Sequence, residues 1–91
     1  MRPDVSVVEA LKEVARSFGR RVRRTESLSG GFAVVGVNGR SVYFDVLAGG
    51  LAVRWDAYED DGSRVPLRNP SARTDRPGWE LEVEESLEDV L

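Results

Sequence analysis

Apolar residues recur at Val8, Leu11, Ala15 and Phe18, flanked by Val7 and Val14. Spacings of three and four gather them into one stripe along a helix. Asp4 is suited to cap that helix, Pro3 lies just outside it, and Gly19 is a stop. The pattern predicts an amphipathic helix over residues 5–18. Residues 19–30 begin with the run Gly-Arg-Arg-Val-Arg-Arg, and their second half reads as loop. From Gly31 the period changes to two. Phe32–Val37 predicts a strand, Asn38-Gly39 is a strong hairpin signal, and Ser41–Leu47 predicts the returning strand. Ala48-Gly49-Gly50 then turns the chain into Leu51–Tyr58. Asp60-Asp61-Gly62 leads to Val65-Pro66-Leu67, a short strand that Pro66 confines to a sheet edge. Residues 69–78 read as loop by composition. Trp79–Glu84 alternates strictly, as a half-buried strand does. Ser86-Leu87-Glu88-Asp89 fits a capping box opening a final helical turn.

The turns fix registers that can be compared. A two-residue Asn38-Gly39 turn sets Val35 opposite Val42 and Ala33 opposite Phe44. A two-residue Gly49-Gly50 turn sets Val46 opposite Val53, Phe44 opposite Trp55, and Asp45 opposite Arg54 as a charge pair. A three-residue Asp60-Asp61-Gly62 loop with Gly62 left-handed brings Val65 and Leu67 to the same face. The expected core face is Ala33, Val35, Val42, Phe44, Val46, Val53, Trp55, Leu81 and Val83, covered by the helix stripe. The opposite face then carries Phe32, Val34, Tyr43, Leu47 and Tyr58 beside Asp45, Arg54 and Asp56. That is more aromatic than a solvated sheet face usually is. The competing reading is that Leu87, Val90 and Leu91 fold back over it. The fold class is α+β: an N-terminal amphipathic helix packed on a four- to five-stranded antiparallel meander with a short C-terminal helical turn, residues 1–91 forming a single domain.

Composition removes much chemistry. The 91 residues include no histidine and no cysteine. Disulfides, thiol nucleophiles, Ser-His-Asp and Cys-His catalysis, and zinc sites of the usual kind are therefore excluded. An oxygen-ligated Mg²⁺ or Ca²⁺ site remains chemically open. An EF-hand loop aligned on Gly62 needs a carboxylate at position 57 and Glu at position 68, where the chain has Ala57 and Arg68. No GxxxxGK[ST] occurs, and no GxGxxG follows a strand. Trp55 and Trp79 have core alternation rather than the placement of a base-stacking platform. Lys12 lies on the polar side of the helix and carries no motif for chemistry. No cofactor is expected. No apolar run approaches the length of a membrane span, and the charge-broken N-terminus is unlike a secretory leader, so the expected location is cytoplasmic.

The formal charge is −3, which argues against general nucleic-acid binding. Residues 1–24 carry seven basic and three acidic residues, and the remainder six and thirteen. Arg16, Arg20, Arg21, Arg23 and Arg24 form a basic segment that could hold phosphates or an acidic protein surface. As cations near a helix C-terminus they also need no ligand to account for them. Glu80, Glu82, Glu84 and Glu85 form an acidic stripe, which the arginines could pair or which could simply keep a strand face soluble. Lys12 is the single lysine among thirteen basic residues; GC-rich coding explains this, and salt adaptation is the sharper alternative.

Helix followed by meander resembles the element order of cystatin-like and double-stranded-RNA-binding domains. The resemblance is one of order alone. The second would need a long basic C-terminal helix, and this chain ends in Ser-Leu-Glu-Asp-Val-Leu. The sequence points first to a non-enzymatic protein-interaction module, a small regulator, inhibitor or adaptor. It would dock through the Phe32, Val34, Tyr43, Leu47 and Tyr58 face or through a sheet edge, to another protein or to a second copy as a homodimer. The alternative is an accessory nucleic-acid binder using the Arg16–Arg24 segment. A carboxylate-based enzyme or metal site ranks third.

Overall fold

The computed structural model describes residues 3–91, with side chains from Val5 onward. Helix α1 spans Pro3–Arg16. Proline suits a first helical turn, where its missing N–H is not needed. Asp4 therefore lies inside the helix rather than at its cap, and its side chain is outside the described residues. Leu11 and Ala15 on α1 and Phe18 just beyond it are buried, as the apolar spacing predicts, while Val7 takes the buried place expected of Val8, which packs beside it with Val14; the helix ends at Arg16 rather than at residue 18.

Six antiparallel strands follow: β1 Val22–Leu28, β2 Gly31–Gly36, β3 Ser41–Leu47, β4 Ala52–Tyr58, β5 Arg64–Val65 and β6 Ser71–Arg73. Their order is β1-β2-β3-β4, with β5 and β6 both paired to the far flank of β4. Pro66 follows β5 on that flank, an edge position as expected. Two strands lie where loop was expected. β1 is polar and exposed over residues 23–27 and apolar only at its ends, Val22 and Leu28, so no apolar alternation marks it. β6 is three residues long inside a turn-rich stretch.

The β3–β4 register is the expected one, with Phe44 opposite Trp55 and Asp45 opposite Arg54. The β4–β5 hairpin also closes as expected: Glu59 N–H donates to the Ser63 carbonyl at 2.7 Å, and Gly62 is left-handed at φ 88°. The β2–β3 register differs by one residue. Gly36 N–H donates to the Arg40 carbonyl at 2.8 Å, so the loop has three residues, Val37, Asn38 and Gly39, rather than two. Gly39 takes the left-handed position at φ 87°, the usual solution for a three-residue hairpin. Phe32 therefore pairs with Phe44 and Val34 with Val42. A one-residue slip exchanges the two faces of a strand. Phe32 and Val34 are core, fully buried, while Ala33 and Val35 turn to the other face.

Residues 79–90 also differ. They form helix α2, Trp79–Val90, not a strand and a final turn. Trp79 and Val83 satisfy either period. Leu87 and Val90 continue the helical one and are buried, while Leu81, which alternation would bury, is 61% exposed. Ser86 is inside the helix rather than at a cap, and its hydroxyl donates to the Asn69 carbonyl at 3.4 Å. The glutamates at 80, 82, 84 and 85 consequently do not share one strand face.

Both helices contribute to the same core, with Leu11 of α1 and Leu87 of α2 among its fully buried side chains. The architecture is two layers, with helices over one sheet face. The C-terminal end of α2 is seated by groups far away in sequence. Asn38 Nδ2 donates to the Val90 carbonyl at 2.9 Å. Arg21 donates to Glu88 Oε1 at 2.9 Å and to the Glu88 backbone carbonyl at 3.3 Å. α2 has no basic residue in its last turn, so Arg21 supplies the cation that complements its dipole. Among the described residues, no helix is long and apolar enough to cross a membrane.

Candidate functional site

The outer face of the sheet is the surface that the fold leaves without a covering layer. β3 contributes Ser41, Tyr43, Asp45 and Leu47; β4 contributes Ala52, Arg54, Asp56 and Tyr58. From β2 come Ala33 and Val35, and from β1 Arg24, Glu26 and Leu28. Strand alternation places all of them opposite the helices.

Tyr43 and Tyr58 are the centre of this face. They are diagonal neighbours across the β3–β4 ladder and meet edge to face, with ring centroids 5.8 Å apart. Such a geometry suits aromatic quadrupoles and keeps both rings in defined rotamers. Tyr43 is 43% exposed and Tyr58 half-buried. Leu47 and Leu28 are each 39% exposed farther along the same face. Val35 lies beside the tyrosines at the edge of a shallow open depression that also takes in Arg24 and Asp60.

Around the aromatics stand ion pairs: Asp45–Arg54 at 3.8 Å, Asp56–Arg64 at 3.3 Å and Arg24–Glu26 at 3.7 Å. Exposed pairs of this kind contribute at most about 1 kcal/mol each. They present both signs of charge rather than one field. Arg40 closes the face at the hairpin end through a forked contact with Glu59, at 2.7 and 3.1 Å. The Glu59 hydrogen bonds and charge push the Arg40 pKa above its ordinary value.

Sequence reasoning located Tyr43, Leu47 and Tyr58 on this face. It also placed Phe32 and Val34 there, and that is corrected: both are buried beneath the helices and out of a partner's reach. Val35, Leu28, Arg24 and Glu26 were missed. The signal for Val35 was the length of the Asn38-Gly39 loop, and the charges on β1 carried none. Leu87 and Val90 do fold back on the sheet, but onto the core face.

The basic segment is dispersed over three elements. Arg16 ends α1 and pairs with Glu13 one turn earlier. Arg20 and Arg21 lie in a 3₁₀ turn, with Arg21 engaged by α2 and its guanidinium 5.3 Å from the Phe18 ring centroid. Arg23 and Arg24 are on β1. Arg20 and Arg23 are exposed and form no ion pair among the described residues. The arginines do not pair with Glu80, Glu82, Glu84 or Glu85; the acidic residue they reach on α2 is Glu88.

Trp55 and Trp79 are both buried in the core. Trp55 Nε1 has no hydrogen-bond acceptor among the described residues, a destabilising feature too deep to meet a ligand. Among the described residues, no three acidic side chains are grouped to hold a metal ion. A comparison with known proteins finds no matching family model, curated protein or solved structure.

Proposed function

We propose that the protein is a non-enzymatic interaction module that docks another protein on the outer sheet face around Tyr43 and Tyr58. One observation carries this reading: a two-layer fold devotes both helices to one face and leaves an aromatic pair on the other. Tyrosine provides large contact area, few rotatable bonds and a polar tip, which is why it is enriched at recognition surfaces. The flanking Asp45–Arg54 and Asp56–Arg64 pairs would form a polar rim and fix orientation by charge. Tyr43→Arg tests this. Protein captured from the source cells on the immobilised wild type should be lost on the variant, with folding unchanged by circular dichroism. Capture unaffected by the substitution would remove the outer face from the account.

A second reading has its own observation, Arg20 and Arg23, which are exposed and form no ion pair among the described residues. They would contact phosphates of a nucleic acid as accessory groups. Salt-sensitive binding to mixed nucleic acid, reduced in Arg20→Ala/Arg23→Ala, would support it. An absence of binding at low salt would end it.

A further inference from the structure

The two edges of the sheet are unlike. Beyond β4 the edge is broken into β5 and β6, of two and three residues, with Pro66 and Pro70 between them. Short strands and prolines are the usual protection against edge pairing. The other edge is β1, seven residues with no proline, paired on one side alone with β2. A bulge between Val22 and Arg24 interrupts its beginning and leaves residues 24–28 regular.

The backbone groups that β1 turns outward follow from its hairpin. Leu28 stands opposite Gly31 across the two-residue Ser29-Gly30 loop, which makes them a mutually bonded pair. Bonded pairs alternate from there, so Glu26 and Arg24 also bond to β2. Thr25 and Ser27 then point their N–H and C=O groups away from the molecule. The side chains of Arg24 and Glu26 share the outer face and lie 3.7 Å apart within the chain.

We propose that β1 pairs antiparallel with β1 of a second copy, about a two-fold axis at Thr25. In that register Thr25 exchanges both backbone bonds with its counterpart. Arg24 stands opposite Glu26 of the second copy, and Glu26 opposite its Arg24. Each intrachain ion pair becomes part of a four-charge array of alternating sign. Outward-facing residues must meet outward-facing residues, so the nearest other registers lie two residues away. One sets Arg24 against Arg24 and the other Glu26 against Glu26, both repulsive. The strand is therefore complementary to itself in one register and to its own slipped forms in none. The outer faces of the two copies would join into one continuous sheet surface. This edge adjoins the outer face and shares Arg24 and Glu26 with it, but the pairing uses neither Tyr43 nor Tyr58.

Sedimentation equilibrium of the full chain, at concentrations up to about 500 µM to reveal dissociation constants of roughly 100 µM or tighter, tests the proposal. The wild type should follow a monomer–dimer equilibrium and approach twice the chain mass at the top of that range. Thr25→Pro removes an N–H that β2 does not use, and should give a monomer with an unchanged far-ultraviolet spectrum. Glu26→Arg should also give a monomer, and R24E/E26R should restore the dimer by exchanging the charges. A wild type that stays monomeric throughout the range overturns the proposal, as does a dimer that survives both Thr25→Pro and Glu26→Arg. Either result leaves capture through the Tyr43 face to be judged by its own variant.

Discussion

Leu81 and Leu87 should respond oppositely to truncation, and the contrast tests whether the C-terminal segment is a helix. Leu87 is fully buried, and Leu81 is 61% exposed. Leu→Ala in a packed core costs about 3–5 kcal/mol, the lost transfer energy plus the cavity left behind. A domain of this size has ~5–15 kcal/mol in total, so Leu87→Ala should remove a large share of it. At about 4–8 °C per kcal/mol, melting should fall by at least ~12 °C. Leu81→Ala loses little buried area, and alanine is the better helix former, so its change should stay within about 0.5 kcal/mol. Urea unfolding followed by circular dichroism and by fluorescence of buried Trp55 gives both values from the midpoint at constant slope. A Leu81→Ala cost equal to that of Leu87→Ala would refute the helical reading. It would restore the strand that the alternation of Trp79, Leu81 and Val83 suggests.

The β2–β3 register makes a parallel prediction: Phe32→Ala should cost ~3–5 kcal/mol, whereas half-buried Val35→Thr should stay near 0.5 kcal/mol; the reverse order in urea unfolding would mean that the two-residue turn is correct. Asn38→Ala should cost about 1–2 kcal/mol by removing the hydrogen bond to the α2 carbonyl at Val90, and hydrogen exchange should quicken at the end of α2; unchanged exchange there would contradict the contact. Among the described residues Ala48 is the one non-glycine residue with positive φ, at 51°, so Ala48→Gly should raise stability by roughly 1 kcal/mol; a lower melting temperature would refute the strain. Asp61 accepts hydrogen bonds from the Ser63 hydroxyl at 2.6 Å and its N–H at 2.9 Å, which lowers its pKa below the ordinary aspartate value. That contribution is present above the ordinary value and fades as pH falls through the folded one. An NMR carboxyl titration should show the depressed midpoint, and a midpoint at or above the ordinary value would contradict the geometry.

The contrast between elements shows what the chain makes legible. α1 and the β3–β4 pair were readable because two independent signals agree there: apolar period for the helix, and turn position plus the Asp45–Arg54 match for the hairpin. β2 was ambiguous for a physical reason. Phe32, Ala33, Val34 and Val35 are all apolar, so alternation does not choose a face, and the register rested on loop length alone. A three-residue loop and a two-residue loop both use Asn38-Gly39, and they give opposite faces. For α2, Trp79 and Val83 fit periods of two and of 3.6, and the decision lies farther on, at Ser86, Leu87 and Val90. β1 carries almost no apolar code, because between its end residues Val22 and Leu28 this edge strand is exposed to solvent. For the same reasons, Tyr43, Leu47 and Tyr58 were found while Phe32 and Val34 were assigned to the wrong face and Val35 to the core.

Recognition on the helix-free face of the sheet, as proposed, can be located residue by residue. Mapping amide and aromatic NMR resonances while the captured protein is titrated into the labelled chain tests it most directly. Perturbations are expected at Tyr43, Tyr58, Val35 and Leu47, with little change at Leu81 and Glu84 on α2. Perturbations confined to α2 or to Arg16–Arg24, with Tyr43 and Tyr58 unmoved, would contradict it.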